Sequence, residues 1–193
     1  MKLAARGALV LGVLGFGCIS YRGSAQDVTP STVRADSGWR RIEHVPSVHQ
    51  KGAKDCGAAA LSAVLEFWRQ PASPPALERD HIDAALRKKP DEGLSAGALR
   101  DYARKQGFHA YVFNGQVADL THEIEAGRPV IVGVHKALSS KEFLSHYEVV
   151  LGFHRQQQLV LTFDPAHGLR ENRLSGFLEE WQRSGRTTLV VLP

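Results

Sequence analysis

The chain has 193 residues, 43% of them hydrophobic and 23% charged. At about 150 residues per domain this gives one full domain and a short extra segment, and the composition excludes a collagenous, broadly disordered or linker protein. The formal net charge is +4, but two positives, Lys2 and Arg6, fall in a segment read below as removable; 24 less 2 leaves 22 Lys and Arg against 20 Asp and Glu. That balance gives nucleic-acid binding no support. The two cysteines, Cys18 and Cys56, could form one disulfide at most, and a domain of this size folds without it.

Met1 to Cys18 reads as a bacterial export signal: Lys2 and Arg6 hold the front end at the anionic cytoplasmic leaflet, and Ala8 to Phe16 form a short apolar stretch. The stretch falls short of the about 20 residues that span a bilayer. Leu14-Gly15-Phe16-Gly17 before Cys18 resembles a lipoprotein signal, in which the cysteine is lipidated through its thiol and becomes the mature first residue. Leu14 stands four positions before the cysteine where the aliphatic residue normally stands three before, so ordinary secretion and an uncleaved anchor stay open. Ile19 after Cys18 favours the outer membrane by the habit of such signals. The expected organisation is a signal over 1–17, a flexible tether over 18–38 and a globular domain over 39–193. The tether reading rests on Ser20 to Ser37, rich in Ser, Thr, Asp, Arg and Gly, which lacks the apolar side chains to offset its ordering entropy.

Within the domain, Leu61, Val64, Leu65 and Trp68 recur at helical spacing, and Ala59, Ala60 and Ala63 make the other side apolar too, so a buried helix is predicted over Ala58 to Trp68. Pro71, Pro74 and Pro75 end it. A second helix follows over Leu77 to Lys88, broken by Pro90, and a third starts after Ser95 as N-cap and stops at Gly107. Then come a strand at His109 to Phe113, a helix over Val117 to Ala126 closed by Gly127, and a Val/Ile strand over Pro129 to His135. Tyr147 to Phe153 and Leu159 to Phe163 read as paired strands across a Gln156-Gln157-Gln158 tip, followed by a helix over Ser175 to Gln182 and a last strand over Thr187 to Leu192. A helical front half on a mostly antiparallel sheet is an α+β arrangement.

Cys56 stands where a loop with two glycines, Gln50-Lys51-Gly52-Ala53-Lys54-Asp55-Cys56-Gly57, runs into the buried helix. The unpaired N–H groups of a first helical turn and a neighbouring imidazolium both favour thiolate, the attacking form, so this placement makes Cys56 a nucleophile candidate. Taken by itself it is equally a small apolar filler. His146 heads the strand Tyr147-Glu148-Val149-Val150-Leu151, where it could present its ring to the helix as a base. Asp164, eighteen residues on at the end of the next strand, could orient that ring, because a hairpin sets the start of its first strand beside the end of its second. Gln50, six residues before the cysteine, could aim an amide N–H at a carbonyl oxygen turning negative, together with the Cys56 backbone N–H.

Gln50 with Asp55-Cys56-Gly57, His146-Tyr147 with Val149-Val150, and Asp164-Pro165 together resemble the signature of the bacteriocin-processing, double-glycine cysteine peptidases, family thirty-nine of the cysteine peptidases in the papain-like superfamily. The likeness covers roughly residues 42–193. It implies a papain-like fold, with Cys56 as nucleophile, His146 as general base, Asp164 as its orienter and Gln50 as oxyanion donor. Familiar relatives form the cytosolic front end of exporters and cut leader peptides after paired glycines. This chain shows no transporter or ATPase motif and carries an export signal, so it resembles a free-standing, exported branch.

Nine histidines invite a metal reading, but no H-E-x-x-H pair or paired-cysteine spacing is present; His135, His154 and His167 have bland accounts, and no metal or cofactor is expected. Trp39, Trp68 and Trp181 read as packing, His44 and His49 as loop residues, and Arg87-Lys88-Lys89 as a solvated helix end. The expectation is a periplasm-facing thiol hydrolase, lipid-anchored at Cys18, acting on a peptide or protein. The same residues could serve acyl transfer to an amine or cleavage of a peptidoglycan cross-link, and a module from a different class would hold peptides without turnover.

Overall fold

A computed structural model of the protein describes residues 24–69, 75–89 and 91–193. The segment expected to be an export signal, Cys18, and the prolines at 71, 74 and 90 lie outside the described residues. Among the described residues no helix is long and apolar enough to cross a membrane.

The chain order is β1 (Gln26–Asp27), α1 (Pro30–Ala35), β2 (Trp39–Arg41), α2 (Cys56–Arg69), α3 (Pro75–Leu86), α4 (Ala96–Lys105), β3 (His109–Asn114), α5 (Val117–Glu125), β4 (Val130–Ala137), β5 (Phe143–His154), β6 (Leu159–Asp164), β7 (Gly168–Arg173), α6 (Leu174–Arg183) and β8 (Thr187–Leu192). The strands form one sheet in the order β1-β7-β6-β5-β4-β8-β3, with β2 pairing the far end of β5, and every pairing is antiparallel. The α+β class follows.

β4 shows why the sheet must be covered on both sides. Ile131 packs with α2 and α4 residues such as Leu61, Leu65 and Leu99, whereas Val130, Val132 and Val134 pack with Leu120 and Ile124 of α5 and with Phe177 and Trp181 of α6. Alternate side chains leave a strand on opposite faces, so a strand of consecutive apolar residues needs two cores. The front helices cover one face as expected, and α5 and α6 add a third layer on the other. α2 is the centre of the first core: Ala58 to Ala60, Leu61, Val64 and Leu65 are completely buried, and each large aliphatic residue contributes about 1.5–3 kcal/mol. Ser95 caps α4 by accepting from Ala98 N–H, and Gly107 and Gly127 take the positive φ values, 91° and 74°, that let α4 and α5 end. The three tryptophans are packing residues: Trp68 and Trp181 donate Nε1–H to the Val191 and Thr187 carbonyls, and Trp39 sits edge-on to His154.

Two expectations differ from the structure, and one strand, β7, goes unread in the sequence. Ser24 to Gly38, read as tether, is packed: β1 pairs with β7, Val33 of α1 is 4% exposed, and Val28 N–H donates to Leu169 O. Its few apolar residues, Ala25, Val28 and Val33, are spaced too far apart to announce a helix, but each lands on existing core. β7, Gly-Leu-Arg-Glu-Asn-Arg, has no apolar alternation; its Asn172 and Arg170 side chains bond Ser24 and Ala25, just ahead of β1. β5 begins at Phe143, so His146 lies inside a long central strand instead of heading a strand at a sheet edge; the exposed Phe143–Ser145 arm gave no burial pattern to read.

Candidate active site

The loop before α2 is folded by one carboxylate. Asp55 accepts the Lys51 and Gly52 N–H groups at 2.8 and 3.0 Å, and its own carbonyl receives Ala59 N–H at 3.0 Å as the helix begins. Cys56 is therefore the first helical residue, a free thiol with 6% of its surface exposed. Gly57 follows in a tight place: a Cβ there would lie 3.1 Å from the Tyr147 ring and 3.2 Å from Leu99, so either side chain would have to give by a few tenths of an ångström. Tyr147 in turn accepts a hydrogen bond from Ala96 N–H at the start of α4, and burial, with Cys56 adding to it, pushes its hydroxyl up to about 12.

His146, 4% exposed, reaches this helix end from β5. Its Nε2 lies 2.8 Å from Asp164 Oδ1, and the ring also shares a hydrogen bond with the Cys56 side chain, which falls to the remaining nitrogen, Nδ1. Burial works against a charged ring, but the hydrogen bonds to Asp164 and Cys56 and the negative charge on both outweigh it, and His146 is pushed up from 6.5 to about 10. Asp164 is fully buried at the end of β6, where Oδ1 also accepts Ala166 N–H at 2.8 Å and Oδ2 faces Arg170 Nη1 at 4.0 Å. The thiol, imidazole and carboxylate thus stand in sequence, brought together from α2, β5 and β6.

Gln50 is held against the same corner. Its backbone N–H donates to Pro165 O at 2.9 Å, and His49 Nδ1 lies 3.3 Å from that carbonyl, so the loop ahead of Cys56 is tied to the turn behind Asp164. The Gln50 side chain folds into its own loop, with Nε2 donating to Gly52 O at 2.8 Å and Oε1 buried without a hydrogen-bond partner. One of the two amide N–H groups is used in that bond. A cleft of about 420 Å³ opens beside Cys56 and His146, and Gly93, Ser95, Gly133, Ser145 and Ser184 keep its walls low; Gln50 is not part of its lining. Two larger hollows, one between Lys51 and Arg87 and one under α1, contain no thiol.

Beneath the His146–Asp164 pair lies a second set of charges that sequence reading passed over. Lys136 is completely buried, with Nζ 2.6 Å from Glu148 Oε1 and 2.5 Å from Glu180 Oε2. Burial disfavours its charge, yet the two carboxylates win and raise it; Glu180 is raised chiefly by burial. His146, Glu148 and Asp164 form the group with metal-ligand spacing among the described residues, but Lys136 already stands as the cation on Glu148. His154 belongs elsewhere, with Asp36 and Trp39. Arg170, Lys136 and Glu148 carried no local signal; Asp55 was visible in the loop motif, and its two backbone acceptors become apparent only once the loop closes.

Residues 42–189 match the family described as Peptidase_C39 like family. No curated protein matches the chain. Among solved structures, the peptidase domain of Streptococcus ComA, described as a bifunctional ABC transporter of a quorum-sensing pathway, is similar at 25% identity and a TM-score of 0.59, covering 78% of this chain and 99% of that one. A C39-like peptidase from Bacillus anthracis shares the fold at 18% identity and a TM-score of 0.59, over 79% of this chain and 97% of that one. So does a double-glycine-motif protease from an AMS/PCAT transporter, solved with a leader peptide, at 21% identity and a TM-score of 0.55, over 80% and 95% of the two chains. The match spans the loop of Gln50, the start of α2 and the β5–β6 corner, and on it the chain belongs to the Peptidase_C39 like family and is a cysteine peptidase.

Proposed function

We propose that the protein is an exported peptidase that hydrolyses peptide bonds through a Cys56–His146–Asp164 triad. The observation that carries this reading is the single imidazole bonded on one side to Asp164, at 2.8 Å, and on the other to Cys56. The Cys56 sulfur attacks the scissile carbonyl carbon, an S–C bond forms, and the carbonyl electron pair moves onto oxygen. The Cys56 backbone N–H is the donor assigned to that oxyanion, and Gln50, whose amide is turned onto Gly52 O in this structure, joins it only if that side chain swings into the cleft. As the C–N bond breaks, His146 gives its proton to the departing amine, leaving a thioester. A water then gives its proton to the neutral ring while its oxygen attacks the thioester, and collapse releases the acid and restores the thiolate–imidazolium pair. Asp164 keeps one edge of the ring fixed through both halves.

In this reading the chain is led out by its first 17 residues and held by a lipid on Cys18 at the periplasmic face of the outer membrane. Two experiments decide the proposal. Iodoacetamide should label Cys56 faster at neutral pH than it labels glutathione, and Cys56→Ala should fold normally yet lack turnover on a peptide library; labelling no faster than glutathione would sink the triad. Mass analysis of the products separates hydrolysis from transfer to an amine. An alkyne-fatty-acid label should appear on the full chain in a bacterial host and vanish in Cys18→Ala; no label on the parent chain refutes the anchor.

A further inference from the structure

Arg170 sits on β7 with 12% of its side chain exposed, its Nη1 4.0 Å from the fully buried Asp164 Oδ2. The rest of its guanidinium is held by the start of the described chain: Nη2 donates to Ala25 O at 2.8 Å, and Nε pairs with Asp27 Oδ1 at 3.1 Å. That strand has a seat of its own. Ser24 N–H donates to Glu180 Oε1 at 3.3 Å, and Ser24 Oγ donates to Asn172 Oδ1 at 3.1 Å, the asparagine itself being fully buried. Gly176 of α6 leaves the space for Ser24, since a Cβ there would fall 2.3 Å from Ser24 Oγ and 2.4 Å from its Cβ. Ser24 to Asp27 therefore grips α6 through Glu180 and the sheet through Arg170 of β7, both belonging to charge pairs that lead back to His146 and Asp164.

We infer that Arg170 is a positioning residue of the triad, acting through Asp164, and that the N-terminal strap Ser24 to Asp27 is the part of the protein that holds it there. This rests on the proposed triad. Bearing on Asp164 are His146 and Glu148 from β5, Arg170 from β7, His167, whose backbone N–H donates to the Asp164 carbonyl, and, through His146, Cys56 from α2; Lys136 and Glu180 lie behind Glu148, and His49 caps the Pro165 carbonyl. Among them Arg170 is the cation facing Asp164 from the side opposite the imidazole. Its guanidinium favours the charged carboxylate, and a protonated Asp164 is a poorer acceptor for the imidazolium. With Arg170 gone or turned away, Asp164 takes up a proton at higher pH and the cysteine–imidazole pair assembles later as pH rises.

The test is the pH dependence of Cys56 alkylation by iodoacetamide in the otherwise complete chain. Arg170→Gln should move the acid limb upward by about half to one pH unit and lower the plateau several-fold, while Arg170→Lys, which keeps the charge, should return the limb to near its parent position. Gly176→Ala is the second variant. Alanine suits a helix better than glycine, so its fold is secure, but its methyl displaces Ser24 and should move the limb in the same direction. Limbs that coincide with the parent in Arg170→Gln and Gly176→Ala overturn the inference alone, even if rates fall. If Arg170→Gln does not fold, Gly176→Ala decides. A parent chain whose cysteine behaves like glutathione overturns the triad and this inference with it.

Discussion

Asp164→Asn removes one negative charge from the ring of His146 while keeping the shape of the corner. The asparagine oxygen can still accept from both His146 Nε2 and Ala166 N–H, each 2.8 Å away in the parent, while its amide group turns toward Arg170. The rise of His146 from 6.5 to about 10 is worth on the order of 5 kcal/mol in favour of the imidazolium, a net figure left after burial has worked the other way. Asp164 and Cys56 supply it between them. A carboxylate in direct contact accounts for about one to three pH units of such a rise, so Asp164→Asn should bring His146 down to roughly 7–9. Imidazole Cε1–H resonances assigned by comparison with His146→Gln would report the midpoint directly in both proteins. A parent midpoint near 6.5 would refute the ion-pair reasoning, and an unchanged midpoint in Asp164→Asn would refute the role given to its charge.

Other consequences follow from the same contacts. Because folding raises His146, its contribution to stability is full below about pH 6.5 and is lost as pH rises through about 10; urea midpoints should show a steeper decline over this window in the parent than in Asp164→Asn. Gly57→Ala pushes a methyl against Tyr147 and Leu99, and should cost about 1–3 kcal/mol in unfolding free energy and slow Cys56 alkylation as the helix start is displaced. Lys136→Met strands Glu148 and Glu180 without their cation and should cost about 3–5 kcal/mol; adding Glu148→Gln should recover part of this in denaturant titrations. Asp55→Ala frees the Lys51 and Gly52 N–H groups, and a loss of about 1–3 kcal/mol with slower alkylation of Cys56 is expected.

The parts of the site that could be read in the sequence are those whose chemistry depends on position along an element. Cys56 stood at the junction of a glycine loop and an apolar helix, and Asp164 closed a strand; the hairpin between β5 and β6 then brought Asp164 to His146. Local capping was equally legible, since Ser95 and Gly107 act through the backbone nearest them. What escaped depends on distant pairing. Ser24 to Asp27 is ordered by residues about 145 positions later in the chain, and β7 is ordered by β6 and β1, so neither carries an apolar rhythm of its own. His146 was expected at a strand start because Phe143 to Ser145 pairs with β4 in a solvent-facing arm that needs no burial pattern.

The buried charges beside the triad pose a question that stability alone does not answer. Asp164, Glu148 and Glu180 face Arg170, Lys136 and His146 in a region where each is almost entirely removed from water. Replacing buried ion pairs with well-packed apolar side chains is often neutral or stabilising, so a gain in folding free energy is a weak reason for the Lys136–Glu148–Glu180 cluster. Their effect is on geometry and on charge. Arg170 and Lys136 set cations at fixed points behind two carboxylates, and those carboxylates lie within 4.8 Å of the ligating nitrogen of His146 and of each other. In a low-dielectric corner such fixed charges bear on which protonation state the imidazole keeps, and under the proposed triad that state governs the step at sulfur. Because Ser24 bonds Glu180 while the Ala25 carbonyl bonds Arg170, the first described residues of the chain bear on a carboxylate partner of Lys136 and on Arg170 itself. A segment whose composition suggested only a spacer is thereby positioned to influence the reactivity of Cys56, more than thirty residues further along the chain.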